Sequence, residues 1–579
     1  MATGKTFRSW LAETRGSQFE LVRHFLPQQL ANDAVSSDQV RRFVITMLAV
    51  LGCVGPLIVR LYIPKYNYLQ GLNSGDLYLA AVGADRLFFI SLSMNAAGLV
   101  TVLQWQGLFP GLRDYLALKP LPVYMYQVFI ARFLSAFVIL VVVLADLNLA
   151  TSVLFPFLTS GSWQSPSFGV RYILAHAVAT VCAGLFTFLA IVGLQGALMN
   201  IVPRRTFERL SVFIQALLAT AFLAAMPYVL DIPNWYGNIA AKPRWMFLFP
   251  PAWFLGLYEI LLGTRDSYFM RLHELAVMGI GIALFLALAT YSLCYRRHAS
   301  RVLEQASPRS SGISLVERLA AALLRSFVRH SPEQAAFVFA IQTLRRSRPH
   351  KLVLGLSVAI ALVLALQTAG PSMVAHVRSV ESWNVRELES ILAVPLVIGA
   401  VLVSALCYVF HLPSEAQAAW VFRLAESTAR RELLDSVECL LVLCGLLPVL
   451  LLTAPIEALA LGWFGVAHVA LVTVLMLLLI EVRLYEWHKI PFTCSYVPGC
   501  RNLWQTIGIY LFLFGAVIPT ITYFEAWLLR PFVLLASAAA LSVVYFSLRS
   551  TRQTQWNMVP LLFDESGEPL IGAVRLNQD

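Results

Sequence analysis

The feature that most constrains this chain is the recurrence of apolar runs, free of Asp, Glu, Lys and Arg, that are long enough to cross a bilayer. A hydrocarbon core about 30 Å thick takes roughly 20 helical residues. Twelve runs approach that length: 43–59, 87–112, 133–145, 172–203, 210–230, 275–295, 352–377, 390–414, 439–456, 458–480, 502–524 and 531–548. The third reaches it by continuing past Asp146. Lipid offers no partner for free backbone groups, so each run reads as a helix and the fold class as all-α and polytopic. Of the 579 residues 59% are hydrophobic and 13% charged, too few charges to cover a water-soluble surface of this size.

Basic residues near helix ends set the orientation. With the N-terminus inside, the cytosolic segments carry Arg41 and Arg42, then Arg113 and Lys119, then Arg204, Arg205 and Arg209. Further along they carry Arg423, Arg430 and Arg431, then Arg483, Lys489 and Arg501, then Arg549 and Arg552. Residues 147–170, on the opposite side, hold no charge, so both termini are expected in the cytosol. The first run follows Arg23, Arg41 and Arg42 and is not closed by a small-residue cleavage site, so it is expected to stay as a helix. The net charge of +11 is concentrated: residues 296–351 hold eleven Lys and Arg against Glu304, Glu317 and Glu333. Topology and contact with anionic lipid account for that excess without nucleic acid as a partner.

The basic segment divides the runs six and six. The expected organisation is an N-terminal amphipathic segment (1–42), a first six-helix unit (43–295), a cytosolic linker with an amphipathic helix (296–351), a second six-helix unit (352–548) and a cytosolic tail (549–579). In the tail, "VPLLFDESGEPLIGAVRL" reads as a small hairpin. Pro110, after the second run, matches Pro413, after the eighth, and each begins a short amphipathic piece, a polar break and a new helix. Residues 17–42 and 331–351 both read as interfacial helices. Residues 233–263 are rich in aromatics but too polar at their start to span, so they are expected to dip into the interface and return. The second half has only a tight link around Glu525 in that place.

Chemistry is sparse. Gly4, Lys5 and Thr6 end like a phosphate-binding loop but lack its earlier glycine and preceding strand, and "VVVLAD" ending at Asp146 belongs to an apolar helix. The chain is therefore not expected to bind ATP or to act as an enzyme. Cys494 and Cys500 lie near His488, but their spacing is not a zinc signature, and the other six cysteines sit in or beside apolar runs, so no metal is expected. Asp146, His176 and His468 are the ionisable residues read inside spans, the histidines as hydrogen-bonded packing groups first and proton carriers second. Ser91, Ser93, Asn95, Thr101, Gln104 and Gln106 gather on the second helix, either as interhelical hydrogen-bonding groups or as the lining of a pathway.

The amphipathic lead-in, the charged break "FPGLRDYLALKPLPV" after the second helix and the outer aromatic dip before the sixth resemble the permease subunits of type-2 ABC exporters. "LPSEAQAAWVFRLAE" looks like the same break repeated, and "QTLRRSRPHKL" resembles a membrane-entering segment of large bacterial two-unit permeases. The resemblance implies efflux across a bacterial inner membrane by a chain whose breaks dock on a separate ABC ATPase, two copies of it, which binds the ATP. Docking would fall on Pro110, Arg113, Asp114, Lys119, Pro120 and Pro122, and on Pro413, Glu415, Arg423, Glu426, Arg430 and Arg431. A complete pathway in one chain and a homodimer both stay open. A secondary transporter of six-plus-six plan and a scaffold subunit are the alternatives; a membrane glycosyltransferase would want more acidic residues in 61–84 than Asp76.

Overall fold

A computed structural model describes residues 18–26, 37–71, 75–105, 107–109, 118, 124–160, 166–303, 331–379, 385–412, 419–493, 508–510, 512–528 and 530–562. Every regular element among them is helical. The chain forms two units, Met1–Arg309 and Ser310–Asp579, and the boundary falls inside the expected basic linker. Eleven helical segments among the described residues are long and apolar enough to cross a membrane. They coincide one for one with the second to the twelfth predicted runs.

The first unit contains α1 (18–26), α2 (Ser37–Gly71), α3 (Gly75–Leu103), α4 (Met125–Ser160), α5 (Pro166–Ile201) and α6 (Arg204–Asp231), then the short α7 (Tyr236–Ala241), α8 (Pro250–Leu262) and the long α9 (Ser267–Leu303). The first predicted run, 43–59, lies within α2, which starts earlier and continues through Tyr66 to Gly71. The expected interfacial segment 17–42 is thus divided: α1 is one piece of it and α2 takes the last residues. Leu21 and Phe25 of α1 pack on Val128 and Ala131 at the start of α4, and the Arg132 guanidinium lies 4.0 Å over the Phe25 ring.

Residues 233–263, expected to dip into the interface, form short helical pieces. Two 3-10 turns, Ile232–Asn234 and Arg244–Leu248, and α7 carry the chain to Pro250, where α8 returns against α9, α5 and α3. Asp266 closes this segment by capping α9: its Oδ1 accepts the Tyr268 N–H at 2.9 Å, while Lys242 pairs with its Oδ2. The bond from Lys242, then the Tyr268 amide, hold the Asp266 carboxyl below the usual carboxylate range.

The second unit contains α10 (Ser331–Arg346), α11 (Arg348–Ser379), α12 (Val385–His411), α13 (Ala419–Leu441), α14 (Leu447–Leu461), α15 (Trp463–Leu484), α16 (Ile518–Leu528) and α17 (Pro531–Met558). α10 buries Ala336, Phe337, Ala340 and Thr343, the one-sided spacing expected of an interfacial helix, and Phe339 meets Phe422 of α13 with ring centroids 5.2 Å apart. α13 breaks at Ala429 (φ −136°, ψ 23°), separating an outward-facing piece with Trp420 and Leu424 exposed from the membrane-crossing piece that follows. A π-helical turn, Val442–Leu446, joins α13 to α14.

The α14–α15 hairpin depends on two glycines. Gly462 adopts φ 58°, ψ −133°, a conformation that side chains disfavour, and a β-carbon on Gly465 would sit 2.2 Å from the Glu457 carbonyl oxygen. Glu525, expected in a tight link before the last helix, is instead buried inside α16. In each unit the second of the six predicted spans, α3 or α12, is the most enclosed.

Candidate functional site

The site of the first unit is built along α3. Successive helical residues point about 100° apart, so Asp85 and Arg86 face different neighbours. Asp85 meets α2, where Lys65 Nζ lies 2.8 Å from Oδ1 and the Tyr66 hydroxyl donates to Oδ2 at 2.5 Å. Arg86 meets α8 and α5: Nη1 donates to Glu259 Oε1 at 2.5 Å and Nη2 to the Tyr172 hydroxyl at 2.9 Å. The guanidinium carbon also lies 4.9 Å from the Tyr172 ring centre and 5.0 Å from that of Tyr258. Ions this deeply enclosed persist only when paired, and the pairing ties the returning α8 to the bundle.

One to three turns further along, α3 borders a cavity of about 350 Å³. Ser91 and Asn95, four residues apart on one face, form its α3 wall; Thr187 and Ile191 of α5, Phe222 and Val229 of α6, and Phe249–Pro251 complete it. The Ser91 hydroxyl is committed to the Leu87 carbonyl at 2.8 Å, and Asn95 Nδ2 points at the Met226 sulfur, 3.2 Å away. Asn95 Oδ1 is buried with no hydrogen-bond partner, and the cavity it borders is lined almost wholly by apolar surface. Of the other polar residues expected to line a pathway, Ser93 bonds Asn148 of α4 at 2.7 Å and Thr101 bonds the Ala97 carbonyl at 2.6 Å, as packing groups. Gln104 is buried, but outside the cavity lining. Gln106 lies outside the described residues.

The end of α3 is firmly held. Gln215 Nε2 donates to the Val102 carbonyl at 2.8 Å, Gln195 Nε2 to the Trp105 carbonyl at 2.7 Å, and the Trp105 indole to Ser211 Oγ at 2.8 Å. The two glutamine bonds satisfy carbonyls that a helix end leaves open. The Tyr291 hydroxyl of α9 lies 3.0 Å from the Leu108 carbonyl and 2.7 Å from that of Phe129. The first expected docking segment runs between those two points. Pro110, Arg113, Asp114, Lys119, Pro120 and Pro122 themselves lie outside the described residues, as do Pro413 and Glu415.

In the second unit Arg423 is exposed, but its neighbours are engaged within the unit. Glu426 Oε1 accepts the Leu561 N–H at 2.7 Å and lies 3.5 Å from Arg430, whose Nη1 reaches the Asn557 carbonyl at 3.4 Å. Arg431 donates to Gln553 Oε1 at 3.0 Å. These three residues, expected to face a partner, fasten α13 to the end of α17.

Beneath them lies a buried charge cluster that no charge-free run could reveal. Arg552 Nε donates to Glu481 Oε2 at 2.5 Å and Nη2 to Glu438 Oε2 at 2.6 Å; its guanidinium stacks 4.0 Å from the Trp556 ring centre, and Arg549 pairs with Glu438 at 2.8 Å. A second cluster lies in α14, α15 and α16: His468 Nδ1 is 2.9 Å from Glu525 Oε2, and Nε2 is 3.7 Å from Glu457 Oε2. The packing expectation fits His176 better, with Nδ1 3.2 Å from the Tyr258 hydroxyl and its ring against Phe89. Asp146 lies beside Gly52 of α2, where a β-carbon would come within 2.8 Å of Oδ1. Cys494 and Cys500 lie outside the described residues.

These helices and their paired, enclosed charges define an all-α, multi-pass membrane protein. The chain matches no protein-family model, no curated protein and no solved structure.

Proposed function

We propose that the chain is the permease subunit of an ABC-type exporter of a bacterial inner membrane, with both termini in the cytosol, driven by a separately encoded ATPase. The observation that carries the reading is the frame around residues 110–122: Tyr291 spans its two flanks, and Gln195, Gln215 and Trp105 tie the leading flank to α5 and α6. A push on this segment would reach three helices, two of which wall the cavity, and such a frame suits rigid-body coupling. The amphipathic α1 and α10 each pack where the third span of their unit begins, which supports two repeated units. On this reading the first segment docks the ATPase, and Arg423 and Arg431 are exposed basic residues of the second. The cavity favours an apolar substrate.

The test is purification from the native membrane in nanodiscs, with mass spectrometry of co-purifying chains and an ATPase assay. A stoichiometric ATPase lost on Arg113→Glu with Lys119→Glu supports the proposal. An ATPase that stays bound refutes the docking assignment. Its reproducible absence favours the secondary transporter, the one alternative with an observation behind it: the buried Glu457–His468–Glu525 group.

A further inference from the structure

We propose that Glu457, His468 and Glu525 form a proton-binding site within the second unit, whose resident state is an imidazolium, one carboxylate and one protonated carboxyl. The inference stands apart from the exporter reading. The three side chains come from α14, α15 and α16, and each is at least nine-tenths buried: His468 is 0% exposed, Glu525 3% and Glu457 5%. Both His468 nitrogens, both Glu525 oxygens and Glu457 Oε2 are buried atoms without a well-directed hydrogen-bond partner. Polar atoms so enclosed need either partners or protons.

Charge counting decides between states. A neutral imidazole would leave two uncompensated carboxylates. An imidazolium between two carboxylates still carries a net negative charge in an apolar surround. One further proton, taken from solvent onto a carboxylate oxygen, makes the site neutral, and the new O–H gives an orphaned acceptor a donor.

Among the described residues no other counter-charge is paired with this group. The charged neighbours of His468 are Glu525 and Glu457. α12 packs at this end through Leu388 and Leu392, α17 packs on α15 through Leu534 and Ala538, and the turn Val442–Leu446 has no charged side chain. A metal ion is a poorer occupant, because the carboxylates approach opposite ring nitrogens and share no point with either. Among the described residues no group of His, Cys, Asp or Glu is arranged to hold one.

The test is infrared difference spectroscopy of the full chain in nanodiscs, following the protonated-carboxyl C=O stretch with pH. The wild type should keep that band well above the ordinary carboxylate range. Glu457→Gln and Glu525→Gln should each abolish the site's band, because one carboxylate then balances the imidazolium. His468→Gln should enlarge it, because both carboxyls must then be neutral. Carboxyls elsewhere cancel in wild-type-minus-variant spectra, and gel filtration verifies folding. If the wild type lacks the band at neutral pH, a measurement needing no variant, the proposal fails. It also fails if the folded variants leave the band unchanged.

Discussion

Replacing Arg552 by Met tests the reading of the second unit's buried charges. With Arg549, Glu438 and Glu481 it makes a neutral set of four, in which Arg549 serves Glu438. Removing Arg552 therefore strands Glu481, which is 2% exposed and loses bonds of 2.5 and 2.9 Å. Breaking a buried ion pair from one side costs about 3–5 kcal/mol, mostly the penalty of the unpaired charge. That penalty is relieved if the stranded charge is also removed, so Arg552→Met with Glu481→Gln should recover about 2 kcal/mol or more. Steric trapping of the full chain in bicelles gives these free energies. A single variant costing less than about 1 kcal/mol, or a double variant no more stable than the single, would refute the argument that burial makes this charge costly to strand.

Tyr291→Phe should loosen the frame at Leu108 without unfolding the unit; losing about 1 kcal/mol speeds exchange of the Trp105 and Gly107 amides roughly five-fold, and unchanged exchange would count against the clamp. Gly98→Ala places a β-carbon 2.3 Å from the Phe222 ring that walls the cavity, so the ring must move. A cost of about 1–3 kcal/mol and weaker binding of an apolar fluorescent probe are expected, with stability regained by adding Phe222→Ala. Asp266→Asn keeps a capping acceptor but removes the charge that Lys242 pairs with, so it should destabilise the start of α9 by about 0.5 kcal/mol at neutral pH. Because the folded carboxyl is held low, its contribution is full above the unfolded pKa and lost as pH falls through the folded one, so wild type and variant should converge in acid. Tyr268 amide exchange against pH reads this out.

The positions of the spans were legible because apolar length alone decides them. The charged clusters were not, for a reason contained in the same rule. Runs were ended wherever a charge appeared, yet the helices continue through those charges. Run 87–112 begins just after Asp85 and Arg86; run 439–456 starts after Glu438 and stops at Glu457; 458–480 stops at Glu481, 502–524 at Glu525 and 531–548 at Arg549. Each limit treated as solvent was an ionisable side chain whose partner comes from another helix, information that one helix's pattern does not contain. The polar face of α3 was legible as a face, but which of its members remained uncommitted depended on Asn148 and Met226, 53 and 131 residues away from Asn95 respectively in helices that only folding brings near. The bonds of Arg430 and Arg431 within the unit were likewise not legible, since Asn557 and Gln553 lie far along the chain.

The Arg552 cluster also bears on how the protein is made. Synthesis proceeds from the N-terminus, so Glu438 and Glu481 are in place before the cation that follows them by 114 and 71 residues emerges. Until the last described helix arrives, the nascent second unit holds acids awaiting their counter-ion. A product truncated before Arg552 would stay electrostatically unfinished, a chemical mark by which membrane quality control could separate it from a completed chain.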